Sequence, residues 1–145
     1  MLTVSFAAIA CAVTTLGQAG GDDASKELQG TWKIVSIIKE GDRVPEAEVK
    51  KTSIVVEKSK YKIVEGDKVL ASGDIAVDVV ANPWRIKLVP RKGADKDETF
   101  LGIYEIGFNK LRLCVAPVGK DYPTSFSSTA ENKCSFYSLE RTTGR

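Results

Sequence analysis

The sequence predicts an all-β domain: an eight-stranded antiparallel up-and-down barrel with at most one short helical turn. Three observations lead to this prediction. Short apolar runs alternate with polar residues at a period of two, Gly, Asp, Asn and Pro separate the runs at regular spacing, and no long helical pattern is present to cover a parallel sheet. Because most turns are short, a meander that closes on itself is favoured over the alternative, a two-sheet sandwich.

The first strand is expected over residues 31–39, where Trp32, Ile34 and Ile38 share one face with Ser36. Residues 44–50 then carry Pro45 at the start and acidic residues early, a pattern that favours one helical turn. A glycine inside the fourth run, Gly73, indicates a bend or bulge. The remaining seven strands are expected at residues 53–57, 60–65, 69–79, 84–89, 99–106, 110–116 and 134–140.

Composition excludes several classes of function. The chain has 145 residues, 43% of them hydrophobic, which is enough for one domain with a real core. Its 21 Lys and Arg are dispersed among 19 Asp and Glu, so a nucleic-acid partner is not expected. The sequence has no histidine, which excludes Ser-His-Asp and Cys-His catalysis and removes the commonest metal ligand. We therefore expect neither an enzyme nor a metal or cofactor site.

The N-terminus indicates export. Residues 1–19 carry no charge, contain an apolar stretch at 4–13 and end in the small residues Gly17 and Ala19, as is typical of a secretory signal peptide. A membrane anchor and a lipoprotein attached through Cys11 are the alternatives. The predicted organisation is a signal peptide at 1–19, a flexible tether at 20–27, the barrel domain at 28–141 and a tail at 142–145. If the signal peptide is cleaved, the mature protein is expected to be secreted or periplasmic and to have no membrane span. We also expect it to be a monomer.

The mature chain keeps two cysteines, Cys114 and Cys134. One interpretation is a disulfide, which the oxidising compartment permits. It would close a loop of about 20 residues and stabilise the fold by roughly 3 kcal/mol. The other interpretation is a pair of buried thiols, and the sequence leaves both open.

Two resemblances support the barrel. Gly30-x-Trp32 at the first strand and Arg141 after the last resemble the lipocalin and calycin pattern, which implies that Trp32 closes one barrel end and stacks on Arg141. Most of the domain is also similar to a family of small secreted lipocalin-like domains of unknown function, abundant in planctomycete bacteria. This second resemblance implies a bacterial source, brings no established activity, and rests on LQGTWKIVS at 28–36, Val44-Pro45, LGIYEI at 101–106, LRLCVAP at 111–117 and YPTSF at 122–126.

Candidate ligand contacts lie on the inward positions of the predicted strands. An eight-stranded barrel has an interior that is either filled by side chains or holds one small ligand. The alternative is therefore that the same residues contact one another as a filled core. The candidate lining residues are Ile54, Val56, Tyr61, Ile63, Ile75, Val77, Trp84, Ile86, Leu111 and Leu113.

The longest connection, residues 117–133, is a second candidate, because long ordered connections are often functional. Lys120, Tyr122, Thr124 and Phe126 are predicted to form a lid or recognition surface at one barrel mouth. The alternative is a plug in which Phe126 covers the core. The acidic run at 95–98 lacks the glycine and spacing of an EF-hand loop and indicates an exposed hairpin tip.

Two functions remain compatible with the sequence. The first is non-catalytic binding of a small apolar or amphipathic ligand inside the barrel. The second is a filled barrel whose outer face or loops bind another protein of the cell envelope, as an interaction or inhibitor module. An open interior of roughly 300 Å³ or more would favour the first, and a packed interior the second.

Overall fold

Eight antiparallel strands close into a barrel in the computed structural model, which describes residues 26–142 of the chain. Neighbouring barrel strands pair in chain order and the last pairs back with the first, so the predicted up-and-down barrel is confirmed. The predicted signal peptide, most of the predicted tether and residues 143–145 lie outside the described residues. The barrel strands are β1 (Gly30–Lys39), β3 (Thr52–Glu57), β4 (Lys60–Glu65), β5 (Lys68–Asp78), β6 (Trp84–Lys92), β7 (Phe100–Gly107), β8 (Lys110–Val115) and β9 (Ser135–Arg141).

Three short elements complete the fold. A 3-10 turn, Lys26–Leu28, precedes β1 and overlaps the last two residues of the predicted tether, so regular structure begins two residues before the predicted domain boundary. A two-residue strand β2 (Asp42–Arg43) pairs with the end of β1. The helix α1 (Glu46–Val49) starts after Pro45, where one helical turn was predicted. Within residues 26–142 no helix is long and apolar enough to cross a membrane.

A bulge in β1 changes which isoleucine faces the core. Ile34 pairs with Leu139 while Ser36 pairs with the preceding residue of β9, so one extra residue of β1 stands between them. Since side chains alternate across a strand, one extra residue moves every later side chain to the opposite face. Ile37 therefore packs against the core, and the prediction that Ile38 shares the inner face with Trp32 and Ile34 was wrong.

A second bulge lies between β5 and β6 at Gly73. Ser72 pairs with Lys92 while Gly73 pairs with Pro90, so Arg91 is the extra residue on β6. Proline has no N–H for the ladder and is tolerated in sheets at bulges. For this reason β6 continues past Pro90, and the predicted strand end at residue 89 was too early. The irregularity predicted at Gly73 is present, but its extra residue is on the partner strand β6 and not on β5.

The alternating strand directions define two different barrel ends. One end, here called the mouth, collects the ends of β1, β4, β6 and β8 and the starts of β3, β5, β7 and β9. The opposite end, here called the closed end, collects the 3-10 turn and the three tight connections at residues 58–59, 79–83 and 108–109. The long connections at residues 93–99 and 116–134 both start and finish at the mouth.

Trp32 and Arg141 close the barrel, as the resemblance implied. Trp32 is 0% exposed, and its indole N–H donates to the Leu28 carbonyl at 2.9 Å. The Arg141 guanidinium lies 4.3 Å from the centroid of the Trp32 ring and donates to the Gln29 carbonyl at 2.6 Å. Gly30 has a φ of +120°, and a Cβ there would lie 2.9 Å from the Arg141 guanidinium. Glycine is thus required by both the backbone and the arginine that crosses it.

Candidate functional site

A cavity of about 460 Å³ occupies the barrel interior between the closed end and the mouth. Its lining is mainly aliphatic and aromatic, and every barrel strand contributes. Eight strands enclose an interior wide enough for one small ligand when the inward side chains do not fill it. Eight of the ten predicted lining residues border the cavity: Ile54, Val56, Tyr61, Ile63, Ile75, Ile86, Leu111 and Leu113.

The other two predicted lining residues lie nearer the closed end. Val77, next to the last residue of β5, packs against the core without bordering the cavity. Trp84, the first residue of β6, is 36% exposed, and its ring centroid lies 5.5 Å from that of Tyr104. Both positions are at the closed end, since Val77 lies near the end of β5 and Trp84 starts β6.

Several lining residues were not among the predicted ones, including Ile37, Leu88, Phe100, Tyr104 and Tyr137. Ile37 faces inward only because of the β1 bulge. Phe100 and Tyr104 alternate on one face of β7, and this period of two is the signal that places them inside. The signal is weak because β7 is also apolar on its outer face.

The exposed lining residues mark where the cavity opens. Lys39, Leu70, Ala94 and Asp95 border the cavity and are also exposed to solvent. Lys39 ends β1, Leu70 lies near the start of β5, and the other two belong to the connection between β6 and β7. All four positions are at the mouth, so the mouth is the route into the cavity.

Burial raises the pKa of three tyrosine hydroxyls of the interior above an ordinary value of about 10 that already leaves them protonated at neutral pH. It raises the pKa of Tyr61 to about 12, and the nearby Tyr137 and Asp95 add to the increase. It also raises the pKa of Tyr104 to about 12, with the negative charges of Glu27 and Asp78 as smaller causes. Burial raises the pKa of Tyr137 as well, partly offset by a hydrogen bond with the Ser135 side chain. These side chains are therefore neutral at physiological pH.

The long connection does not form the predicted lid or plug at the mouth. It packs on the outer wall, where Arg85 lies 4.3 Å from the centroid of the Tyr122 ring and Arg112 lies 4.8 Å from that of Phe126. Lys120 and Thr124 are exposed, and none of the four predicted loop residues borders the cavity. The segment covers an apolar patch on the outside of β7 to β9 that would otherwise face water.

That outer patch contains both cysteines as free thiols. Cys114 is 0% exposed and Cys134 is 4% exposed, and they pack with Ile103 and Ala116 under Phe126. The Cys114 thiol donates to the Ser127 carbonyl at 3.4 Å. Burial raises the pKa of Cys114 to about 11 and also raises that of Cys134. Of the two interpretations the sequence left open, the structure has the buried thiols and no disulfide.

Both thiols are expected to resist modification in the folded protein. Reaction requires the exposed thiolate, and burial here disfavours both exposure and ionisation. A Cys11→Ser chain treated with a chromogenic disulfide reagent at pH 8 should release almost no thiolate colour when native. In denaturant the same sample should report two thiols. Rapid reaction of the native chain would contradict the packing of the outer patch, and an absence of thiols after denaturation would indicate a disulfide.

The charged side chains of the described part of the chain form exposed ion pairs and no metal-binding group. Residues 26–142 contain no group of three or more Cys, Asp or Glu side chains placed to hold a metal ion. In the predicted hairpin tip, Asp97 forms an ion pair with Arg91 at 3.0 Å, and Asp95 borders the mouth. Comparison with known proteins gives no match, whether to a protein-family model, to a curated protein or to a solved structure.

Proposed function

We propose that this protein is a lipocalin-like carrier or sensor that binds one small apolar or amphipathic molecule inside its barrel, without catalysing a reaction. The observation that carries the proposal is the cavity of about 460 Å³. This volume lies within the range of about 300 to 1,000 Å³ that is usual for small-molecule sites. Its mainly apolar lining would stabilise a ligand by removing apolar surface from water.

The cavity also has the polarity of a binding site. Only two charged side chains in the described region border it, Lys39 and Asp95, and both are at the mouth. An apolar body would occupy the interior, and a polar end of the ligand would remain near these charges and solvent. This arrangement supports an amphipathic ligand as well as an apolar one.

A filled barrel that acts only through its outer surface is less well supported, because it requires a packed interior. We further propose that the protein works outside the cytoplasm of a bacterium as a monomer, and that it belongs to the family of small secreted lipocalin-like domains. The uncharged N-terminal segment supports export, and the Trp32–Arg141 closure supports the family relationship.

Binding of a neutral fluorescent probe, N-phenyl-1-naphthylamine, tests the proposed function. The wild-type protein should bind it with a stoichiometry of one and with enhanced emission. A double variant, Ile63→Trp with Leu88→Trp, places two indoles on lining positions and should weaken binding by about 10-fold or more, equivalent to about 1.4 kcal/mol. Circular dichroism would check that the variant retains its fold.

The matched control moves the same two indoles to the outside of the same strands. Lys62 and Lys87 are the neighbours of the two lining residues, are exposed and face outward, so Lys62→Trp with Lys87→Trp should leave the affinity unchanged. Equal binding by all three proteins would place the probe outside the barrel. Absence of probe binding to the wild type would contradict the proposed function. Native mass spectrometry of the exported protein tests that function independently, because a bound ligand would appear as a co-purifying mass.

A further inference from the structure

Two strand connections at the closed end expose apolar side chains to solvent. Val80, in the connection between β5 and β6, is 92% exposed, and Phe108, in the turn between β7 and β8, is 93% exposed. Val79 is 51% exposed and Trp84, which starts β6, is 36% exposed. A single exposed apolar residue is common on protein surfaces, but several at one end of a molecule mark a site of contact with a protein or a membrane.

The barrel topology places these two connections, here called the apolar tips, side by side. Since β6 pairs with β7, the β5–β6 hairpin is the neighbour of the β7–β8 hairpin, and the strand spacing puts the tips about 10 Å apart. Residues 79–83 and 107–109 carry no charge. The Asp78 carboxylate accepts hydrogen bonds from the N–H groups of Val80 and Ala81 at 2.9 and 3.4 Å, so the first tip has a fixed backbone.

The chain enters the barrel at the same end. The 3-10 turn lies at the closed end, so residues 1–25 join the barrel there through Lys26. Residues 1–19 carry no charge, and only residues 20–25 separate them from the turn. If residues 1–19 are retained in a membrane, this short link brings the apolar tips, and not the mouth, to the lipid surface. A short link gives an effective concentration of about millimolar, so weak insertion of a few side chains is then sufficient.

A lipid surface fits the apolar tips better than a protein partner does. Stable protein interfaces bury about 1,200 Å² or more in total, and two tips with a partly exposed indole offer only a fraction of this area. The interface of a bilayer accepts individual apolar side chains, and aromatic residues are enriched at that depth. The exposed charges that flank the tips, Asp78, Arg85 and Lys110, have both signs. Attraction to anionic lipids is therefore not the main source of binding.

We propose that the closed end docks on the surface of a lipid bilayer, with Val80 and Phe108 inserted below the headgroups and Trp84 at headgroup level. The mouth then faces the aqueous compartment, and the cavity stays accessible from solvent. This inference goes beyond the proposed function and does not depend on it, because a barrel with a filled interior would dock in the same way.

Quenching of tryptophan emission by brominated lipid tests the docking. The exported protein is mixed with phosphatidylcholine vesicles that carry bromine on their acyl chains. Trp84 should be quenched, also at high salt, whereas Trp32 is 0% exposed inside the barrel and should stay bright. A tip variant, Val80→Ser with Phe108→Ser, should lose the quenching. Its partition constant in vesicle sedimentation should fall by about 10-fold or more.

The matched control removes two exposed apolar side chains away from the closed end. Val35 lies within β1 and is 43% exposed, and Val118 follows β8 at the mouth and is 44% exposed. Val35→Ser with Val118→Ser should be quenched as the wild type is. Trp84→Phe, which removes the reporter, should abolish the quenching. All substituted tip and control residues are exposed, so urea unfolding should give closely similar stabilities.

Two results would overturn the docking. One is a wild type that is not quenched, and the other is equal quenching of the wild type and the tip variant, even where the N-terminal residues hold both chains on the vesicles. If the unquenched wild type is a dimer in sedimentation velocity and the tip variant is a monomer, the apolar tips contact a second copy instead. Binding of N-phenyl-1-naphthylamine is measured without vesicles, so failure of the docking leaves the proposed function standing.

Discussion

Replacing Trp32 by alanine is expected to lower the free energy of unfolding by about 3 to 5 kcal/mol. Trp32 is fully buried at the closed end, so truncation leaves a cavity where the largest fully buried side chain of residues 26–142 now packs. The substitution also removes the hydrogen bond to the Leu28 carbonyl and the ring on which Arg141 lies. Urea unfolding followed by far-ultraviolet circular dichroism measures the change without depending on tryptophan emission.

The second tryptophan supplies the control. Trp84 is 36% exposed, and its indole is partly solvated before any change is made. Trp84→Ala should therefore cost clearly less, about 1 to 2 kcal/mol, since less apolar surface returns to water. A cost below about 1 kcal/mol for Trp32→Ala, or equal costs for the two variants, would refute the role of Trp32 in closing the barrel.

Substituting alanine for Gly73 is expected to lower the free energy of unfolding by about 3 kcal/mol, at the upper end of what overpacking usually costs. A Cβ on Gly73 would lie 2.2 Å from the Val89 carbonyl oxygen and 2.6 Å from the Pro90 Cα. These are backbone atoms, and they cannot move away without separating β5 from β6 at the bulge. The same denaturation measurement applies.

Gly107→Ala is the matched control for Gly73→Ala. Gly107 is the last residue of β7 and pairs with Lys110, but a Cβ there would meet nothing within 4 Å. Its effect should stay within about 0.5 kcal/mol, as for other unconstrained surface positions. Similar losses in both variants would show that general strand propensity, and not the close approach at the bulge, determines the need for glycine at Gly73.

Much of this architecture follows from the sequence because its strands show apolar–polar alternation and end at turn residues. Alternation and turn residues predicted all eight barrel strands, and Gly73 marked its bulge. The β1 bulge escaped prediction because no glycine or proline marks it, and one extra residue there exchanges Ile38 for Ile37. Apolar–polar periodicity therefore predicts where strands lie. It does not predict a bulge within a strand when no glycine or proline marks the position.

The site was harder to predict than the fold. The outer face of β7 and β8 is apolar at Ile103 and Cys114, as their inner faces are, so alternation alone does not show which face is inside. The long connection resolves this by covering the outer face, a contact between segments distant in sequence. Whether inward side chains meet or leave a cavity depends on the barrel radius and on each rotamer, and neither can be read from residue types. Tyr104 was missed for the same reason.

Methyl NMR of isoleucine-labelled protein tests most directly whether the barrel interior is an accessible binding site. Ile63, Ile75 and Ile86 border the cavity, and Ile103 is equally apolar but packs outside the barrel under the long connection. Titration with N-phenyl-1-naphthylamine should shift the three inner methyl signals along one saturable curve and leave Ile103 unchanged. Inner signals that stay fixed while the probe binds, or a shift largest at Ile103, would contradict an open interior site.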